Sequence, residues 1–246
     1  MDNLIYYVLS AIAVLIILTF HEYAHGYIAY KLGDNTAKSL GRLSLNPIKH
    51  LDPFGAVCML LFHFGWAKPV PINPRNFKNP KRDFALVALA GPLSNLILAF
   101  ISAFFYLLLR AVFYGMSFPS EFLYRLAYNA LLFIYIFHSI NLGLAIFNLI
   151  PVPPLDGSRI LNVVLPPKVY FGIMKYERQI YLGLLLWLFI GSAASEFLLS
   201  MPLIAASPIL STVAEYISLS NILGKLISLI SEGFMSFWKL IPFLNI

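Results

Sequence analysis

The sequence predicts an all-α, polytopic membrane protein of about four to six transmembrane helices, with one small extended or β-hairpin segment near residues 40–75. Three observations predict it. Hydrophobic residues make up 60% of the chain and charged residues 11%, less than half of the roughly 25% that a soluble domain carries. Several apolar runs reach the roughly 20 residues that a helix needs to cross the hydrocarbon core. No hydrophilic block among the 246 residues is long enough to fold as a second, soluble domain. The mean hydropathy of +0.80 agrees.

The first run, Leu4 to Phe20, continues as helix through Tyr30, and Gly33 and Asp34 then signal a stop. Its Met-Asp-Asn start has no basic leader, so the run reads as a retained span and not as a cleaved signal. Residues 31–53 are mixed and rich in turn formers. Residues 54–64 are apolar but too short to cross, which suits a buried or re-entrant piece. From 65 to 80 the chain holds Pro69, Pro71, Pro74 and Pro80, and alternation over Trp66–Ile72 reads as extended chain in a hairpin or edge strand. Further spans are expected over Phe84–Phe113, Phe122–Ile150 and Ile180–Leu199. Beyond Met201, Pro202 and Pro208 interrupt the pattern. Lys225, Glu232 and Lys239 then mark one helical stripe, which either lies along the membrane surface, the favoured placement, or belongs to a tilted span. The organisation expected is a transmembrane core over 1–200 and a membrane-associated or spanning tail over 201–246.

Charge fixes an orientation. Residues 31–82 hold nine Lys and Arg and residues 157–178 hold four, thirteen of the seventeen in the chain. Two full crossings between these segments put both on one side, and the positive-inside rule makes that side the cytosol. The basic excess therefore marks membrane topology, and no interleaving of basic and aromatic residues suggests nucleic acid. The single cysteine, Cys58, cannot form an internal disulfide and reads as a packing residue.

At the cytosolic end of the first span stands His21-Glu22-Tyr23-Ala24-His25. On a helix, i and i+4 share a face with Cβ atoms about 5–6 Å apart, so two imidazoles can hold one zinc. Glu22 is placed to act as general base. Two His and a Glu in continuation of a transmembrane run would be costly to leave without a purpose. Zinc in catalysis uses three protein ligands, and topology nominates the end of the 122–150 span for the third. There Pro151, Pro153 and Pro154 stop the helix and leave Asp156 as an isolated acid on irregular chain, which membrane depth tolerates only inside protein or beside water. The plainer alternative for Asp156 is a cap on the helix that follows.

HEYAHG, GPLSN at 91–95 and NLIPVPPLDG at 148–157 resemble the site-2 protease family of intramembrane metalloproteases, as does GRLSLNPIKHLDPFG at 41–55 followed by FGWAKPVPINPRNF at 64–77. The resemblance covers about residues 15–165 and is nearest to small prokaryotic members, without a PDZ or CBS module. It implies one zinc per chain on His21, His25 and Asp156, with Glu22 as catalytic acid/base and Asn148 as donor to the tetrahedral oxyanion. Asn95 would help shape the substrate path, with an interhelical hydrogen-bonding role as the equal alternative. It further implies transmembrane proteins or peptides as substrates, and a site open to the cytosolic side of a prokaryotic cell membrane. His50 and His63 lack motif spacing. His138 and Asn141 read as interhelical hydrogen-bonding residues, and Gly91-Pro92 as a kink or close-packing point. A zinc transporter or metal sensor is the alternative function, and a silent helix-binding scaffold a third. One compact ligand cluster beside a general base favours hydrolysis over both.

Overall fold

The computed structural model describes residues 2–53, 55 and 67–245; the expectations for the apolar 54–64 piece, Cys58, His63 and Trp66 lie outside them. Helix α1, Asp2–Lys31, ends where Gly33 takes a positive φ of 107° that side chains disfavour. A short α2, Thr36–Ser39, follows. The chain then runs through two 3₁₀ turns, Pro47–Lys49 and Pro74–Asn76, to α3, Pro80–Phe113. Helix α3 begins four residues before the expected span because Pro80 suits a first turn, where its missing N–H costs nothing. The Asp83 carboxylate there accepts from the Asn79 backbone N–H at 3.0 Å. Next come α4, Glu121–Leu149; α5, Asp156–Val164; α6, Pro167–Met174; and α7, Glu177–Leu199. The tail forms α8, Pro202–Ala205; α9, Pro208–Tyr216; and α10, Leu219–Trp238.

Four of these helices, α1, α3, α4 and α7, are long and apolar enough to cross a membrane, and α9 with α10 forms a pair bent by 96° that passes the same test together. Helix α3 shows why lipid is its solvent. Leu89, Leu93, Ile97, Ile101 and Phe105, four apart, form an exposed apolar stripe, whereas Val87, Gly91, Asn95, Ala99 and Ala103 on the other side are buried. Large apolar residues outside with small and polar ones inside is the reverse of a soluble helix. It fits a membrane, where tight packing and interhelical hydrogen bonds hold helices together.

Helices α1, α3 and α4 form the bundle that carries the site. Ala13 and Ile17 of α1 pack on Ile136 of α4, and Ala29 of α1 packs with Val87 of α3 and Phe77. Helix α10 lies along α3 and α4. Its Ser231 hydroxyl stands 2.8 Å from His138 Nε2, and the Trp238 indole N–H donates to the Phe100 carbonyl at 2.9 Å. Both bonds hold the helix against the bundle. The α9–α10 bend is tied down by polar groups. Trp187 N–H donates to the Ile217 carbonyl and Asn221 Nδ2 to the Glu215 carbonyl, which meets the requirement that exposed backbone in lipid find partners.

Of the expected hairpin, the described residues show one isolated antiparallel bridge, Leu51 with Ala67, and no strand ladder. Pro69 and Pro71 supply no N–H for a ladder. The extended segment 67–73 instead forms a strap fastened by side chains. The Arg42 guanidinium donates to the Lys68 carbonyl at 2.8 Å. Asp34, fully buried, accepts from the Asn73 N–H and from Asn76 Nδ2 at 2.7 Å each, and from the Thr36 N–H and hydroxyl.

Candidate metal centre

His21 and His25 share one face of α1 near its C-terminal end, both buried. Asp156 arrives from the other end of the chain. Helix α4 stops at Leu149, six residues of non-helical chain follow, and α5 starts at Asp156 itself. The helix-cap alternative fails on this geometry. The cap position is Leu155, and the Asp156 side chain turns toward the imidazoles. Gly157 makes the turn possible, since a Cβ there would overlap the Leu149 and Ile150 carbonyl groups.

Three atoms converge. The two His Nε2 atoms are 3.1 Å apart, and Asp156 Oδ2 is 3.2 Å from His21 Nε2 and 3.3 Å from His25 Nε2. On the far side, His25 Nδ1 lies 2.7 Å from the Val87 carbonyl, which can only accept, and His21 Nδ1 lies 2.6 Å from Asn95 Oδ1. In the neutral rings both Nδ1 atoms therefore carry the proton, and both Nε2 atoms present lone pairs. Their 3.1 Å approach is no hydrogen bond. Asp156 Oδ2 is also buried without a hydrogen-bond partner.

Three electron pairs meeting in a buried space require a cation. In a tetrahedral zinc site with bonds of about 2.0–2.1 Å, ligand atoms stand about 3.3–3.4 Å apart, close to the separations found here. His, His and carboxylate is also a zinc-type donor set. Among the described residues this is the one group of three or more His, Cys, Asp or Glu arranged to hold a metal. Space for it is kept by Gly91 of α3, where any Cβ would collide with both imidazoles.

A cavity of about 610 Å³ opens on the cluster. Glu22, next to the first His, lines it, and its Oε2 accepts the Val70 backbone N–H at 2.7 Å. The strap thus reaches the proposed base directly. Asn148 lines the cavity too. One amide hydrogen goes to the Leu144 carbonyl at 3.1 Å, and the other is free to donate. Asn95 is a different matter. It is fully buried behind His21, against its Nδ1, and is not among the residues that line the cavity. The rest of the expected set, His21, Glu22, His25, Asn148 and Asp156, surrounds the cavity together.

Residues absent from the expected set also shape the site. Arg159, one turn beyond Asp156, lines the cavity and pairs with Glu177 of α7 at 3.2 Å. Tyr181 of α7 lines it as well. The i, i+3 spacing from Asp156 was the available sign for Arg159; nothing local marked Tyr181 or Val70. His50 is buried with Nε2 against the Ser44 carbonyl, apart from the cluster.

The model of peptidase family M50 matches residues 9–170. YwhC of Bacillus subtilis (strain 168), provisionally named a zinc metalloprotease, is 51% identical over 174 residues, covering 69% of this chain and 77% of that protein. MJ0611 of Methanocaldococcus jannaschii, likewise provisionally named, is 33% identical over 161 residues, covering 65% and 72%. The zinc metalloprotease MJ0392 of the same organism is 29% identical over 175 residues, which are 71% of this chain but only 39% of that longer protein. No solved structure matches the chain at a significant level.

Proposed function

The chain belongs to peptidase family M50 and is a multi-pass membrane zinc metalloprotease; on that footing we propose that it cuts peptide bonds within transmembrane segments of other membrane proteins, from the cytosolic side of a prokaryotic cell membrane. The observation that carries this reading is the placement of the ligand cluster. His21, His25 and Asp156 meet among spanning helices, beside a cavity that the Glu22 carboxylate also lines. The distribution of Lys and Arg supports the cytosolic side.

In this reading His21 Nε2, His25 Nε2 and Asp156 Oδ2 hold the zinc. When bound, zinc supplies Lewis acidity, lowering the pKa of water toward roughly 7 and polarising the scissile carbonyl. Glu22 takes the proton from the attacking water and returns it to the departing amine. Its carboxylate has the reach because it follows His21 directly, and the Val70 N–H keeps it from swinging into solvent. The free amide hydrogen of Asn148 donates to the developing oxyanion. A substrate helix must unwind before its carbonyl is accessible. The strap, lining the cavity through Ala67, Pro69, Val70 and Ile72, is the surface along which the opened segment lies.

The test is Glu22→Gln in full-length protein reconstituted with single-span peptides. Zinc content should match wild type while cleavage disappears. Persisting cleavage refutes the assigned base. Cleavage of soluble peptides alone, with none of spanning ones, refutes the intramembrane reading.

A further inference from the structure

Behind His21 a line of polar groups crosses three helices without touching the cavity. His21 Nδ1 meets Asn95 Oδ1 at 2.6 Å, Asn95 Nδ2 meets Asn141 Oδ1 at 2.8 Å, and Asn141 Nδ2 meets the Phe137 carbonyl at 2.8 Å. Both asparagines are fully buried. Neither borders the cavity that holds the cluster, so their amides are not there to meet a substrate.

The direction of the line follows from its last member. The Phe137 carbonyl can only accept, so the Asn141 NH₂ group faces it and Asn141 Oδ1 faces α3. Asn95 must answer with its own NH₂ group, which leaves its oxygen against His21. That oxygen can only accept, so the His21 proton sits on Nδ1 and the Nε2 lone pair faces the cluster. Reversing the Asn95 amide would set two oxygens against each other at the Asn141 contact. It would also put an N–H against His21 Nδ1, moving the ring proton to Nε2, where it blocks ligation. In a dry interior each mismatched group carries its full desolvation penalty.

We propose that Asn141 is a positioning residue of the metal site, holding Asn95 so that His21 keeps its proton on Nδ1 and offers Nε2 to zinc. The proposal rests on the reading of His21 as a zinc ligand. Asn95 is the direct partner of the ring, and Asn141, one helix further out, decides which way Asn95 points. Removing such outer partners lowers metal affinity by about 10–100-fold in general. Asn141→Leu conserves shape and removes the bias. Asn141→Asp restores it, because a buried acid stays protonated and can donate to Phe137 while accepting from Asn95.

The experiment is a zinc titration of the full-length protein in detergent against a competing chelator, with wild type, Asn141→Leu, Asn141→Asp and His21→Gln side by side. Asn141→Leu should bind zinc about tenfold or more weakly, and Asn141→Asp within about threefold of wild type. If Asn141→Leu does not fold, Asn141→Ala takes its place in the comparison. A purely structural asparagine would leave affinity unmoved in the folded Leu or Ala protein, or would show the same loss for Asp as for Leu; either result overturns the proposal. Should His21→Gln itself keep zinc at wild-type affinity, the ligand reading fails and takes the proposal with it.

Discussion

A single methyl group placed at Gly91 should weaken zinc binding while leaving the rest of the fold in place. The Cβ of Gly91→Ala would stand 2.6 Å from His21 Cε1 and closer still to His25 Nε2. Carbon contacts settle at about 3.5 Å or more, so the rings would have to retreat by close to 1 Å. Ligand distances in a zinc site tolerate only about 0.2 Å. The rings cannot retreat, because their Nδ1 atoms already press on Asn95 and on the Val87 carbonyl. Overpacking of this kind costs about 1–3 kcal/mol. Taken from binding at about 1.4 kcal/mol per decade, that weakens zinc by roughly 5–150-fold. Chelator competition on the purified variant reads the change, and thermal unfolding without zinc checks that the bundle survives. A variant that binds zinc within threefold of wild type would show that the rings do not sit against α3 as described.

Other substitutions probe the elements around the cluster. Gly157→Ala should destabilise the protein and displace Asp156, since its Cβ overlaps the last carbonyls of α4; an overpacking loss of about 1–3 kcal/mol should appear in denaturant or thermal unfolding together with weaker zinc. Val70→Pro removes the N–H that holds Glu22; zinc content should stay while kcat falls by about tenfold or more, in line with about 1.5–3 kcal/mol for a charged hydrogen bond, and unchanged turnover would remove the strap from the mechanism. Asp34 titrates in a direction that can be stated. Burial works to raise its pKa, but donors from Thr36, Asn73 and Asn76 prevail and lower it. Its stabilising effect is thus complete above the unfolded value of about 3.9 and lost as pH falls through the lower folded value. Wild type should therefore unfold at a higher temperature than Asp34→Asn at pH 7, with the gap narrowing below about pH 4; a gap independent of pH would contradict the assignment.

The sequence made the spans and the ligand set legible for a physical reason. Both depend on local spacing: apolar runs long enough for a bilayer, and two His one helical turn apart. Asp156 was legible because three prolines strip it of any helical role except the first turn. The choice between the two roles open for Asn95 was not legible, because a motif gives a residue's neighbourhood and not its facing. One turn of α3 separates the cavity from the back of His21, and only packing decides between them. Over 67–73 Pro69 and Pro71 lack the N–H a ladder needs, and the bonds that hold the segment come from Arg42, Glu22 and Asp34 far away in sequence. Asp34 beside Gly33 looked like a helix stop. Its partners at 73 and 76 have no local signature. The last helix carries a charged stripe that its sequence shows, but the meeting of its Ser231 with His138 is a contact 93 residues apart that no periodicity shows.

X-ray absorption at the zinc edge of the purified, reconstituted protein tests the metal assignment most directly. The account predicts one zinc per chain, with two imidazole nitrogens and carboxylate or water oxygen at about 2.0–2.1 Å, and loss of that signal in Asp156→Ala. A sulfur shell near 2.3 Å from Cys58, or a spectrum indifferent to position 156, would contradict it.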